Sequence, residues 1–209
     1  MRFQVYDLGL IEFRPAGEFQ RQLVQKIKEG RAGHSLILCR HRPVITFGRS
    51  ANRANILATS EELNAKGIEL AETERGGDVT YHGPGQLTVY PVFDLNNIKK
   101  DIHLFLRNLE GRITSVLEIL GIPAVRREGL TGAWVGKKKI ASIGIAVKNW
   151  ITYHGFALNV WEDDLRNFSL IRPCGMDIIM TSIESESKRL IPMTRIKDIL
   201  IKEMYRWPR

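Results

Sequence analysis

The chain has 209 residues, 44% of them hydrophobic, which is enough for one large domain with a substantial core. No run of about 18 apolar residues occurs, which excludes a membrane-spanning helix, and two cysteines exclude a disulfide framework or a four-cysteine zinc site. A net charge of +8 points toward acidic partners, with basic residues gathered at Lys137-Lys138-Lys139 and along residues 188–209.

The first residues, Met1 to Asp7, lack an apolar signal core and a small-residue cleavage site, so a cytoplasmic protein is expected. Leu8-Gly9-Leu10 opens a short N-terminal segment. Pro15 suits the first turn of a helix. Ala16, Phe19, Leu23, Val24 and Ile27 then recur at helical spacing, and Gly30 stops it. Ser35 to Cys39 reads as a buried strand, which makes Cys39 a core residue, since a free cysteine packs like a small hydrophobe. His41-Arg42-Pro43 breaks the strand, and Val44 to Arg49 forms another. Thr59 and Glu62 form a capping box for a helix to Lys66, ended by Gly67. Ile68 to Thr73 is strand-like.

Next comes Arg75-Gly76-Gly77-Asp78-Val79-Thr80-Tyr81-His82-Gly83-Pro84-Gly85-Gln86. Two glycine clusters flank a short β-prone piece, with an ionisable residue beside each. Glycine lets a ligand or another backbone come close, so the run predicts a binding surface. Gln86 to Leu95 reads as a strand with Leu87, Val89, Pro91 and Phe93 on one face and Tyr90 and Val92 on the other. Pro91 suggests an edge or a bulge.

Asp101 caps the longest helical pattern, whose inner stripe is Ile102, Phe105, Leu106, Leu109, Ile113, Val116, Leu117 and Leu120, closed by Gly121. Strands are expected at Ala124–Arg127 and Tyr153–Val160, with a hairpin of Ala133–Val135 and Ile140–Val147 between them. Asp164 to Phe168 forms a helical turn, and Thr194 to Tyr205 a last helix facing in through Ile196, Ile199, Leu200 and Met204. Strands outnumber helices and hairpins recur. The expected fold is α+β: one domain over residues 1–209, with a mixed, mostly antiparallel sheet flanked by helices.

Cys174 lies in Arg172-Pro173-Cys174-Gly175, outside any apolar periodicity, as expected of a loop that presents a side chain. A thiol with a pKa near 8.5 is mostly protonated at neutral pH, and a neighbouring cation raises its thiolate fraction. In a strand starting at the lysine run, Lys139, Ala141 and Ile143 share a face, and Lys139 abuts small residues that let a substrate approach.

The Arg75–Gln86 run, Lys139-Ile140-Ala141-Ser142-Ile143-Gly144, His154-Gly155-Phe156-Ala157-Leu158-Asn159 and Pro173-Cys174-Gly175 together resemble the lipoyl(octanoyl) transferase family, from Leu8 to Ser182. The resemblance implies the fold shared by biotin and lipoate protein ligases. It also implies transfer of an octanoyl group from octanoyl-acyl carrier protein to a lysine of a lipoyl domain. Such domains occur in 2-oxoacid dehydrogenase complexes and in the glycine cleavage H protein. By resemblance, Cys174 and Lys139 are the catalytic pair. Substrate contacts map to Arg75, Gly76, Gly77, Asp78, Val79, Thr80, Tyr81 and His82, to Ser142, Ile143 and Gly144, and to Gly155, Phe156 and Ala157. An acyl-Cys174 thioester with ping-pong kinetics needs no ATP, cofactor or metal. His82 serves either as a proton acceptor or as a framework residue. Oxyanion donors come either from the backbone at Cys174 and Gly175 or from that near Gly76 and Gly77. A monomer is expected, without nucleic-acid or membrane partners. The rival readings are an ATP-dependent lipoate or biotin ligase, which needs no cysteine nucleophile, and a basic nucleic-acid-binding protein. The chain departs from the family pattern at Arg42 and in the lysines preceding Lys139.

Overall fold

Half-buried alternation and continuous apolar runs divide the strands of this chain between the edge and the centre of one large sheet. In a computed structural model, residues 2–207 are described, the side chain of Cys174 excepted. Seven strands lie in the order β1-β2-β6-β10-β9-β8-β7. They span Gln4–Ile11 (β1), Ser35–His41 (β2), Gln86–Val92 (β6), Val125–Arg127 (β7), Leu130–Val135 (β8), Lys138–Lys148 (β9) and Ile151–Asn159 (β10). Only β1 and β2 pair in parallel; the other pairs are antiparallel. A second sheet, ordered β4-β3-β5, consists of Val44–Phe47 (β3), Glu69–Glu72 (β4) and Val79–His82 (β5). The α+β expectation holds, with a second small sheet that the sequence pattern did not separate from the first.

Helices cover both faces of the large sheet. On one face, α3 (Ile102–Ile119) and α5 (Met193–Tyr205) pack over Leu36, Leu87, Val89 and Phe93. On the other, α1 (Phe13–Lys28) lays Ala16, Leu23, Val24 and Ile27 against Ile37, Cys39, Tyr90 and Val92. The two faces predicted for β6 are the ones observed. All seven of its residues are buried, as a central strand covered on both sides requires. The Asp101 cap is present, its carboxylate accepting from the Leu104 N–H at 2.9 Å. The Thr59–Glu62 capping box starts α2 (Ser60–Ala65). A short α4 (Ile183–Ser187) follows the Cys174 segment and has no counterpart in the sequence expectations.

Pro91 is not on an edge: β6 lies between β2 and β10. Its missing N–H is still felt. The β6–β10 ladder ends at Phe156–Val89, and His154, at the same level as Pro91, takes φ +55°. Thr152 spans the gap. Its hydroxyl accepts from the Phe93 N–H at 3.0 Å and donates to the Pro91 carbonyl at 2.7 Å. The irregularity turns His154 toward the region between the sheets.

Candidate active site

The small sheet is fastened to the large one by the glycine-rich run. The Gly76 N–H donates to the Ile145 carbonyl of β9 at 2.8 Å. This approach requires Gly144 opposite: a Cβ there would lie 2.8 Å from the Gly76 carbonyl oxygen and 3.2 Å from Cδ of Arg75. Arg75 is buried and anchors the run. Its Nη2 donates to the Thr46 carbonyl at 2.7 Å and to the Thr46 hydroxyl at 2.9 Å, and Nη1 donates to the Gly76 carbonyl at 3.1 Å. The guanidinium therefore ties the glycine-rich run to β3.

Between the sheets lies a cleft, partly open to solvent. Arg75 through Thr80 and His82 supply one wall; Ser142, Ile143 and Gly144 of β9 and Gly155, Phe156 and Ala157 of β10 supply the other. Lys139 and Pro173 also line it, as do Phe13, Thr88, Tyr90 and His154. Nearly every residue that the sequence singled out for substrate contact therefore meets in one place. Tyr81 does not line this cleft. Its side chain occupies the opposite face of β5, packs edge-on to Phe168 and donates to the Asp164 carboxylate at 3.1 Å. That carboxylate also accepts from the Gly85 N–H.

The lysine run is sorted by strand alternation. Lys137 is exposed in the turn, and Lys138 pairs with Glu186. Lys139 lines the cleft, with its Nζ 5.2 Å from the centroid of the Trp134 ring. A cation over an indole face is attracted by the ring quadrupole. Arg127 lies 5.0 Å from the same ring, and the indole N–H donates to the Leu130 carbonyl at 3.2 Å. Gly132 completes the slot. It takes φ +131°, and a Cβ there would come within 2.7 Å of Cε of Lys139. Its N–H donates to the buried Glu110 carboxylate at 3.1 Å, which ties this bend to α3. Trp134 and Glu110 were read from sequence only as parts of elements, and Gly132 was not singled out. The Gly-x-Trp spacing before a hairpin lysine was the available signal.

Residues Pro173–Gly175 form a single 3-10 turn, with Gly175 at φ +64°. The sequence assignment of Cys174 as nucleophile falls on a side chain outside the described residues. Backbone contacts locate the segment. The Arg172 N–H donates to the Asn55 carbonyl at 2.7 Å, and the Asn55 amide donates to the Asp78 carboxylate. Downstream, the Lys139 N–H donates to the Ile179 carbonyl at 2.8 Å, and the Thr181 N–H donates to the Lys139 carbonyl at 2.9 Å. The Pro-Cys-Gly turn is thus tethered on one side to the glycine-rich run and on the other to Lys139. Asn55, central to that tether, carried no recognisable sequence signal.

The histidines of the cleft are neutral at pH 7. Burial pushes His41 and His154 down to about 4, and burial pushes His82 well below the usual imidazole range, aided by His41 and Arg75. The proton of His82 can be located. The Gln86 amide donates to the Tyr81 carbonyl at 3.1 Å and to Asn159 Oδ1 at 3.0 Å, while Asn159 Nδ2 donates to the Thr181 carbonyl at 2.9 Å. Gln86 Oε1 is therefore an acceptor, and His82 Nδ1, at 3.1 Å, carries the hydrogen. Cys39 is equally settled: it is fully buried, and burial pushes its thiol far up.

A cleft between two sheets, with a lysine and a Pro-Cys-Gly turn beside a glycine-rich wall, suits a protein that handles an apolar acyl group. The fold itself is shared with solved structures. Lipoate-protein ligase A, in a crystal structure with ATP bound, superposes with a TM-score of 0.75 over 99% of this chain and 85% of its own, at 18% identity. A biotin protein ligase from Aquifex aeolicus superposes with a TM-score of 0.56 over 99% of this chain and 69% of its own, at 10% identity. The lipoyl protein ligase A/B catalytic domain family matches residues 14–205, and the chain belongs to that family. Among its relatives, an octanoyltransferase of Solibacter usitatus is 47% identical over 85% of this chain and 80% of its own length. An octanoyltransferase of Cytophaga hutchinsonii is 40% identical over 96% and 90%.

Proposed function

We propose that the chain is an acyltransferase that moves an octanoyl group from acyl carrier protein to a lysine of a lipoyl domain through a thioester on Cys174. The observation that carries this reading is the meeting, in one cleft, of Lys139, residues Arg75 to Thr80 with His82, and the residue preceding Cys174. The relatives named octanoyltransferase support it.

In this reading the Cys174 thiolate attacks the carbonyl carbon of the carrier-bound thioester. The tetrahedral oxyanion collapses, the bond to the carrier sulfur breaks, and the carrier leaves as a thiol. The acyl group now sits on Cys174 with little change in energy. The ε-amine of a lipoyl-domain lysine then attacks. It loses a proton as the amide forms, and the Cys174 thiolate is regenerated. Conversion of a thioester to an amide runs downhill, so no ATP enters. Lys139 steadies the thiolate as a nearby ammonium and passes the proton between steps. Trp134 and Gly132 hold that ammonium in its slot. The Cys174 backbone N–H serves as an oxyanion donor, a role for which preorganised amides are suited, since Pro173 has no N–H and the Gly175 N–H donates to the Arg172 carbonyl at 3.0 Å. His82 acts as framework: its Nδ1 hydrogen is committed to Gln86, and burial makes its imidazolium unfavourable. Ile143, Phe156 and Ala157 cover the hydrocarbon, which at ~0.8 kcal/mol per methylene gains about 5–6 kcal/mol as an upper figure.

The whole chain acts as one catalytic domain, cytoplasmic like its acyl donor. Among the described residues no helix is long and apolar enough to cross a membrane. Mixing the protein with octanoyl-acyl carrier protein, without ATP, tests the reading by intact mass. One octanoyl group on the wild-type chain and none on Cys174→Ser is the expected result. Octanoylation of the Cys174→Ser chain to the same extent would defeat it.

A further inference from the structure

Alternation separates Lys139 from Lys138, but a bulge decides which face of β9 Lys139 occupies. Ala141 and Ile145 pack into the core under α3 and α5, while Ser142 and Gly144 line the cleft. Counted back from Ala141, regular alternation puts Lys139 on the core face and Ile140 on the cleft face. The reverse is observed: Ile140 is fully buried in the core, and Lys139 lines the cleft. Ala133 pairs with Ala141, yet Trp134 pairs with Lys139, so Ile140 is the extra residue on β9. Bulges re-aim side chains in this way.

β9 also changes neighbour here. As far as Ala141 it pairs with β10, whose Leu158 stands opposite. At Lys139 its neighbour is the segment that follows the Cys174 turn, through the bonds to Ile179 and Thr181. Asn159, the last residue of β10, stands at this exchange and is buried. Its Oδ1 accepts from Gln86 of β6 at 3.0 Å, and its Nδ2 donates to the Thr181 carbonyl at 2.9 Å. The N–H of Thr181 is therefore held by Lys139 and its carbonyl by Asn159. Between Cys174 and Thr181 the chain closes on itself. The Met176 N–H donates to the Pro173 carbonyl at 3.1 Å, the Ile178 N–H to the Met176 carbonyl at 2.9 Å, and Arg172 Nε to the Asp177 carboxylate at 3.1 Å. A displacement at Thr181 is passed to the turn rather than absorbed in slack.

We infer that Asn159 is a positioning residue for acyl transfer: it joins the segment behind Cys174 to the large sheet and so holds the turn in register with Lys139. In the acyl-transfer reading of the cleft, on which this rests, Lys139 and Cys174 work as a pair. The attraction between an ammonium and a thiolate falls as their separation grows. A loosened register therefore costs ionisation of the thiol. Leucine at 159 nearly conserves volume, removes both hydrogen bonds and leaves the Thr181 carbonyl without its side-chain partner.

The test follows alkylation of Cys174 by iodoacetamide across the pH range, read by peptide mapping of the folded chain. In Asn159→Leu the midpoint should rise by about one pH unit, which is a tenfold loss of thiolate at neutral pH. Acyl-enzyme formation from octanoyl-acyl carrier protein should fall by a like factor and recover at raised pH. Lys139→Met should raise the midpoint further, and adding Asn159→Leu to it should raise it no more, because register matters only while the ammonium is present. Should the leucine variant not fold, Gln86→Met, which removes the donor that orients the Asn159 amide, should give a smaller shift of the same sign. A midpoint within about 0.2 pH unit of wild type in the folded variants overturns positioning, even where stability falls, and leaves the transfer reading intact. An equal shift with and without Lys139 also overturns it. A wild-type Cys174 that takes no octanoyl group overturns the transfer reading, and the role of Asn159 with it.

Discussion

Cys39 stands in the middle of β2, fully buried, with its sulfur 3.4 Å from Nε2 of His41. Residue 174 stands in a single turn between a proline that lines the cleft and a glycine at positive φ. Distance alone would favour the first as a reactive pair, since cysteine beside histidine is a common nucleophile arrangement. Its surroundings say otherwise. Burial disfavours both the thiolate and the imidazolium, pushing the Cys39 thiol up and His41 down to about 4. The partners of His41 also fix its protons: Nδ1 donates to the Ile11 carbonyl at 3.0 Å, so Nε2 accepts from the Tyr90 hydroxyl at 2.6 Å. A proton moved from Cys39 to His41 would create two buried charges. The Pro-Cys-Gly turn is held by backbone contacts to Asn55 and leads into the segment that pairs with Lys139. The lesson is that surroundings which can carry charge, rather than proximity of a base, separate a reactive cysteine from a structural one.

The sharpest break of this comparison is a pair of substitutions. Cys174→Ala should lower transfer by on the order of 10⁴-fold or more, because the covalent route is lost. Cys39→Ala should leave kcat/KM within about twofold, its cost being about 1–2 kcal/mol of stability on chemical unfolding, since it deletes one buried sulfur. Comparable losses of activity in the two variants would erase the distinction. Next in size, Lys139→Met should cost about 10²–10⁴-fold in acyl-enzyme formation, with less loss at raised pH, where the thiolate forms unaided. A loss independent of pH would contradict a role in ionising the thiol.

Smaller effects probe the slot and the buried ring cluster. Gly132→Ala places a methyl against the Ala141 carbonyl of β9 and against Cε of Lys139, at a positive φ. It should lower kcat by about tenfold or more, reported by burst kinetics. Trp134→Leu, which removes the ring under the ammonium, should do the same to a smaller degree, and Trp134→Phe should restore part of it. The histidines give a pH signature of stability. The unfolded chain takes up protons near pH 6.5, whereas folded His41 and His154 resist until about 4. Stability from these groups is complete above pH 6.5 and is lost as pH falls toward 4, by about 3 kcal/mol for each at the bottom of the window. Thermal unfolding followed between pH 7 and 4 should show that decline. A flat Tm across the range would contradict it.

Much of this was legible in the sequence where local patterns agree with tertiary demands. The Asp101 and Thr59 caps and the two faces of β6 reappear, as does the α3 stripe except at Ile102, which is exposed at the first turn of the helix. β1 was missed because it is an edge strand with half-exposed alternation, and Gly9, at φ +63°, shifts its register against β2. The edge suggested by Pro91 gave way to a central strand, in which the Thr152 hydroxyl satisfies the Pro91 carbonyl and the Phe93 N–H where the ladder is interrupted. Within the site, the glycine clusters and Lys139 could be found because they form contiguous motifs. Asn55, Glu110 and Phe13 could not. Each reaches the site through residues distant in sequence.

The central claim is that one of two thiols is reactive and carries the acyl group. Intact-mass and peptide mapping of the native chain after brief exposure to octanoyl-acyl carrier protein, without ATP, tests it directly. The account predicts a single hydroxylamine-labile octanoyl group on the peptide containing Cys174, with Cys39 unmodified until the chain is unfolded. An octanoyl group on Cys39, or an unmodified Cys174 in a chain that still transfers, would contradict it.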